Sequence, residues 1–208
     1  MEVLWVIVGI IASLVVLVMF VRAITRISRN AKARKRWEPF AQAHGFRLDP
    51  GSLWKGPMLL GEKNGRRVEV SLMRVRRLFE GRVEGTRFRA YLPSPLSSGL
   101  AVGHKSIKRF LSRRVRGGRF AKTGVPALDG YVAVRTDDPN LVQRLMSHEK
   151  TQQFFSHFVA GRSLAMVTSQ GAEFCYDEVE TSDVRLEVGV KTVAEAVDTY
   201  EQILRESV

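Results

Sequence analysis

The chain has 208 residues, a formal net charge of +12 and a single cysteine, with 45% hydrophobic and 26% charged residues. One cysteine excludes an intramolecular disulfide and suits a reducing compartment. The length leaves one domain once a membrane segment is set aside, and a domain of that size buries a core without staples. The charge is uneven. Residues 1–37 hold seven bases and one acid, residues 62–122 seventeen bases and four acids, and residues 123–208 seven bases and fourteen acids. A basic middle facing an acidic end points to an anionic surface or partner for the middle.

Val3 to Val21 is an uncharged run. As a helix it would rise about 28 Å, the thickness of a bilayer's hydrocarbon core. A cleaved signal peptide would want a basic start, a shorter apolar stretch and a small-residue cleavage site. Here Met1-Glu2 opens the chain and a basic run follows, which favours a retained helix. Arg22, Arg26, Arg29, Lys32, Arg34, Lys35 and Arg36 flank its far end. Bases beside a span stay on the cytoplasmic side, so the N-terminus is expected outside and the bulk of the chain inside, on the inner membrane. Ile24, Ile27 and Ala31 share a helical face, so the helix is expected to continue. Pro39 is expected to kink or restart it, and Gly45 to end it in a left-handed conformation.

Beyond residue 45, Leu59-Leu60, Asn64-Gly65, and Val68, Val70 and Leu72 read as a β-hairpin. Thr86 to Leu92 alternates, with Phe88, Ala90 and Leu92 on one side and Arg87 and Arg89 on the other, until Pro93 and Pro95. A short strand near Leu100–Val102 precedes a basic helix or loop, with "RRVRGGRF" as a flexible tip. Tyr131–Val134 reads as a strand. Asp138 is an N-cap with Pro139 at the first helical position, and Leu141, Val142, Leu145 and Met146 form the buried side. Phe154, Phe155, Phe158 and Val159 mark a second helix, which Gly161 follows. Ser163–Thr168 and Ala172–Tyr176 read as a hairpin around Gly171. Val184, Leu186 and Val188 alternate as a last strand. Thr192 and Glu195 have capping-box spacing at the head of a final helix, with Val193, Val197, Tyr200 and Leu204 on one face.

The fold class is therefore α+β: an N-terminal transmembrane helix followed by one globular domain with a mainly antiparallel sheet and packed helices. The expected division is a transmembrane helix over 1–22, a basic juxtamembrane helix over 23–44 and a cytoplasmic α+β domain over 45–208. Residues 38–208 are expected to fold without the anchor.

Motifs that carry chemistry do not assemble. "HEKTQ" begins like a zinc-protease helix, but Gln152 stands where the second histidine belongs. "GGRFAKTG" lacks the spacing and following helix of a phosphate loop, and "GRVEGT" is no dinucleotide fingerprint. No nucleophile elbow occurs. His148 and His157 fall on opposite sides of a helix, and His44 and His104 have no ligand-type neighbours. Cys175 shares a strand face with Glu173 and Asp177, which should raise its pKa and blunt it as a nucleophile. Asp177, Glu178, Glu180 and Asp183 lack the spacing and glycine of a calcium loop. No catalytic residue, cofactor or metal ligand is assigned.

"LDGYVAVRTDDPNLVQRLMS" resembles a strand-then-helix string found in uncharacterised bacterial membrane-anchored proteins, "FD..F.V...D...A..LL". Leu128, Asp129, Tyr131, Val134, Asp138, Val142, Leu145 and Met146 take the corresponding places, with Leu128 replacing an aromatic. The resemblance implies a bacterial origin, an N-terminal membrane helix and a cytoplasmic α+β domain of unknown function. It implies no catalytic residue.

The functional expectation is a non-enzymatic, single-pass protein whose cytoplasmic domain binds or scaffolds an unknown protein partner at the inner membrane face. Its bases would rest on anionic lipid: Arg22, Arg26, Arg29, Lys32, Arg34, Lys35 and Arg36 beside the span, and Arg113, Arg114, Arg116 and Arg119 at the glycine-bearing tip. The rivals are an enzyme with a site assembled from scattered residues, and a membrane-tethered nucleic-acid binder. Nucleic acid is the less favoured partner. Phe88 points with the core set, and Phe110 and Phe120 stand ten residues apart, so no interleaved aromatic platform exists.

Overall fold

A computed structural model describes residues 2–52, 55–77, 81–115, 117–160 and 164–207. The elements in chain order are α1 (Glu2–His44), β1 (Arg47–Asp49), β2 (Met58–Lys63), β3 (Arg66–Arg77), β4 (Gly81–Tyr91), β5 (Leu100–His104), α2 (Lys108–Arg114), β6 (Arg119–Ala121), α3 (Pro126–Asp129), β7 (Val132–Thr136), α4 (Pro139–Met146), α5 (Glu149–Phe154), β8 (Met166–Thr168), β9 (Gly171–Tyr176) and α6 (Asp183–Ser207). The nine strands form one sheet in the order β1-β2-β3-β4-β9-β8-β5-β7-β6. Every neighbouring pair is antiparallel. The chain is an α+β protein with a long apolar N-terminal helix.

The β2–β3 turn is Asn64-Gly65, both at positive φ (54° and 70°), as a two-residue hairpin loop requires. Strand alternation sorts the side chains. Val68, Val70, Phe88, Ala90, Ala172 and Phe174 are buried in the main core, under α6. On β5 and β7 the same rule splits the strand: Leu100, Val102, Val132 and Val134 face the main core, whereas Ala101 and Ala133 face a second, smaller one with Leu111, Val115 and Met166. Helix α2 covers that second core. The outer face of β3, β4 and β9 carries mainly polar side chains, with Met73 and Cys175 in contact among them. Beyond Ser71 and Thr86, β3 and β4 outrun their other neighbours and pair only with each other, down to Arg77 opposite Gly81.

Asp138 caps α4 by accepting from Asn140 N and Leu141 N, and Leu141, Val142, Leu145 and Met146 are buried. The strand-then-helix order of β7 and α4 holds. The second aromatic helix is α5, which continues as a π-helical stretch over Phe155–Ala160. Gly161 and Arg116 lie outside the described residues.

Three expectations need correction. Val184–Val188 is not a strand: α6 starts at Asp183. Its buried side is Leu186, Val190, Val193, Val197, Tyr200 and Leu204, a helical spacing throughout, while Val184 and Val188 are exposed. Thr192 and Glu195 therefore sit inside the helix and cap nothing. The turn just before α6 is held by Glu180, whose Oε1 accepts from Thr181 N and Ser182 N. Pro39 does not interrupt α1. An interior proline costs a helix about 3 kcal/mol. Burying Trp37, Phe40 and Ala41 around it offsets more than that. The helix does continue past the apolar run, to His44, and its buried side there is Asn30, Ala33, Trp37, Phe40 and Ala41.

Candidate functional site

The stem fixes where the rest of the domain stands. One helix among the described residues is long and apolar enough to cross a membrane, and none of its apolar window is buried against the rest of the chain. The same helix enters the domain. Ala33 and Trp37 are fully buried in the main core, and Trp37 Nε1 donates to the Glu180 carbonyl at 2.8 Å. Arg34 Nη2 donates to the Pro50 carbonyl at 3.0 Å. The helix ends as a Schellman motif. Gly45 has φ 70°, Phe46 N donates to the Ala41 carbonyl at 2.8 Å, and the Phe46 and Phe40 rings pack at 5.8 Å. The folded unit thus begins before residue 38, inside the segment expected to be only a juxtamembrane helix.

The rows of the sheet give the domain a near and a far end. Asn30 lies by Gly56 and Leu72, and Leu72 pairs with Thr86. Phe46 lies against Gly61, which pairs with Val68, which pairs with Ala90. Going from Asn30 to Phe46 leads away from the apolar run, so the Thr86 row is the near end and the Ala90 row the far end.

At the far end the outer face carries a charged network. The Glu69 carboxylate accepts from Arg87 Nη2 at 2.6 Å, Ser71 Oγ at 3.1 Å and the Tyr91 hydroxyl at 2.9 Å. Tyr91 in turn accepts from Arg89 Nη1 at 3.1 Å. Arg89 gives Nε and Nη2 to Glu173 Oε2, at 2.7 and 2.5 Å, and Arg114 gives Nη2 to Glu173 Oε1 at 2.7 Å. Burial pushes the Glu69 carboxyl up, but Tyr91 and Arg87 outweigh it and hold it below the usual carboxylate range. Burial pulls Arg89 down, yet Glu173 and Tyr91 hold its proton more tightly than usual.

No protein-family model and no curated protein matches this chain. The fold, however, has a solved counterpart. It is similar to the crystal structure of the mycobacterial trehalose monomycolate transport factor A, TtfA, with a TM-score of 0.54 and 14% identity, over 84% of this chain and 94% of that one. At that identity the likeness is one of fold.

Within this fold the expected site residues separate. Arg22, Arg29, Lys32, Arg34, Lys35 and Arg36 are exposed along α1, with Arg26 half-buried. Arg113 and Arg119 are exposed, on α2 and on the edge strand β6. Arg114 is not at a solvated tip: it spans from α2 to the buried Glu173. The two arginine groups are not brought together, since Arg113 and Arg114 sit at the far end and the α1 bases at the near one. The histidines do local work. His44 stacks on Phe40 at 4.4 Å, and His104 Nδ1 accepts from Ser106 N at the head of a 3-10 turn. Asp129 accepts from Thr123 N and Thr123 Oγ1. Burial raises its pKa, and those bonds lower it by more. Among the described residues no three His, Cys, Asp or Glu side chains gather as a metal site. The Cys175 thiol is pushed up to about 12, by burial first and Glu173 second, and it lies 3.5 Å from Met73 Sδ. Sequence reading named the acids and missed the larger effect. It also missed Trp37, although Ala33, Trp37, Phe40 and Ala41 fall at core spacing within a basic run.

Proposed function

We propose that this protein is a non-enzymatic, single-pass membrane factor whose domain faces the cytoplasm and binds a partner protein at the inner face of the membrane. The observation that carries the reading is the unbroken α1, which passes from the apolar run into the core at Ala33 and Trp37. A helix that is both anchor and core element holds its domain at a set height and orientation, which suits docking on a neighbour in the same membrane. The solved counterpart is a transport factor, and a bacterial accessory role of that class fits the same architecture.

The bases of α1 support the cytoplasmic orientation and a lipid contact. Measured along the helix from Arg22, Arg26 stands about 6 Å and Arg29 about 10 Å away, against about 15 Å for Lys32 and 21 Å for Arg36. The Debye length is about 8 Å at physiological salt. Arg22 and Arg26 lie within it and Arg29 at its edge, so these three are the residues placed to meet anionic head groups, each contributing about 1 kcal/mol. Lys32, Arg34, Lys35 and Arg36 stand beyond it, and Arg113, Arg114 and Arg119 are remote.

Site-specific photocrosslinking of the full chain in its own membrane tests the reading. Probes on the exposed surface of the domain are expected to give one discrete membrane-protein adduct. A short Gly-Ser insertion after Ser28, which uncouples the domain from the span, is expected to abolish or scatter it. Absence of any discrete adduct, or an adduct indifferent to the insertion, contradicts the reading.

A further inference from the structure

A cleft of about 190 Å³ opens between the C-terminal end of α2 and the turn from β8 to β9. Arg89, Arg113, Arg114 and Glu173 line it, together with Ser169 and Gln170 of the turn. Its charge is not balanced. Glu173 is 4% exposed, and both of its oxygens are taken, by Arg89 and by Arg114. Three guanidinium groups against one carboxylate leave two surplus positive charges. Arg113 is exposed, and no acid among the described residues pairs with it. Arg114 Nε is a buried donor with no acceptor. Donors in excess around a concave floor call for an anion.

The size of the surplus selects the anion. A phosphate monoester carries about −1.5 to −2 at neutral pH and offers three acceptor oxygens. A carboxylate, a phosphodiester or a sulfate ester carries one charge and leaves the cleft cationic. Guanidinium forks match phosphate oxygens in pairs. We propose that this cleft binds a phosphate monoester group, gripped by Arg113, with Arg89 and Arg114 setting the field and the Ser169–Gln170 turn forming the rim. The cleft lies by the Ala90 and Ala172 row, the far end of the sheet from the span. A soluble ester is therefore the ligand source, rather than the bilayer that holds the anchor. This site is independent of the partner-docking reading.

Calorimetry on the full chain in phosphatidylcholine nanodiscs tests the proposal. Inorganic phosphate and glycerol phosphate are expected to give saturable heat, and methyl sulfate a weaker response. Affinity for glycerol phosphate should fall as pH drops below about 6, where a phosphate monoester loses its second charge. Arg113→Gln should weaken binding by about tenfold or more, as losing a charge-assisted contact does. Its melting temperature should hold, because the side chain is exposed. Lys191→Gln, on the opposite face, should bind as the parent does. Discs doped with phosphatidic acid separate the sources: a response confined to those discs and abolished by Arg113→Gln keeps the phosphate chemistry and overturns the soluble source. No saturable binding in any arm, equal affinity in Arg113→Gln and parent, or equal response to methyl sulfate overturns the site.

Discussion

Glu173 accepts three guanidinium hydrogen bonds from two arginines while almost wholly buried. Removing it strands Arg89 and Arg114 as unpaired, poorly hydrated cations. Glu173→Ala is therefore expected to destabilise the domain by about 3 kcal/mol in urea titration, in line with breaking a buried pair from one side. A loss under about 1 kcal/mol would show that water already shares those charges. Glu69 adds a pH dependence. Its folded pKa is depressed, so its contribution is complete above the unfolded value of about 4.3 and is lost as pH falls below it. Stability should decline on acidification through that range, and Glu69→Gln should flatten the decline. Cys175 works in the other direction. With its pKa near 12 it stays protonated in the folded state, while the unfolded thiol ionises above about 8.5. A thiol reagent at pH 8.5 should modify it rapidly in denaturant and very slowly in the native protein. Fast native modification would contradict the burial.

At the level of elements, α6 shows what a sequence displays and what it hides. Val184, Leu186 and Val188 alternate like a strand, because β-branched residues on an exposed helical side imitate period two. The helical period becomes visible only when Leu186 is joined to Val190, Val193 and Val197. Gly189 explains why the helix sits so close: a Cβ there would lie 2.4 Å from the Phe88 ring of β4. The two readings predict opposite outcomes. Val188→Lys should change stability by no more than about 0.5 kcal/mol, whereas Val190→Lys should be severely destabilising, because it forces a charge into the core. Equal effects would favour the strand. Where turn chemistry is local, as at Asn64-Gly65 and Asp138-Pro139, the residues announce the element directly. The Arg89–Glu173–Arg114 cluster was not legible, because its members come from β4, β9 and α2 and meet only through the strand order. Cluster residues 84 positions apart carry no spacing signal.

At the scale of the whole molecule, α1 belongs to two structures at once. Its first half meets the requirements of a bilayer and its second half those of a protein core. The expectation that residues 38–208 fold alone therefore changes: that chain lacks Ala33 and Trp37, both fully buried. Deleting a buried tryptophan side chain costs about 3–5 kcal/mol, a large share of a domain's total. Residues 38–208 are expected to melt gradually or at much lower temperature, and residues 28–208 cooperatively. Equal melts would mean that the helix only leans on the core.

Whether one continuous helix mounts the domain rigidly on its span is read by pulsed dipolar spectroscopy, with spin labels at Phe20→Cys in the apolar run and Lys191→Cys on exposed α6, in a Cys175→Ala background and lipid nanodiscs. One narrow distance distribution is expected, broadened only when Gly-Ser is inserted after Ser28. A broad or multi-peaked distribution in the uninterrupted chain would place a hinge between span and domain and rule out a rigid mount.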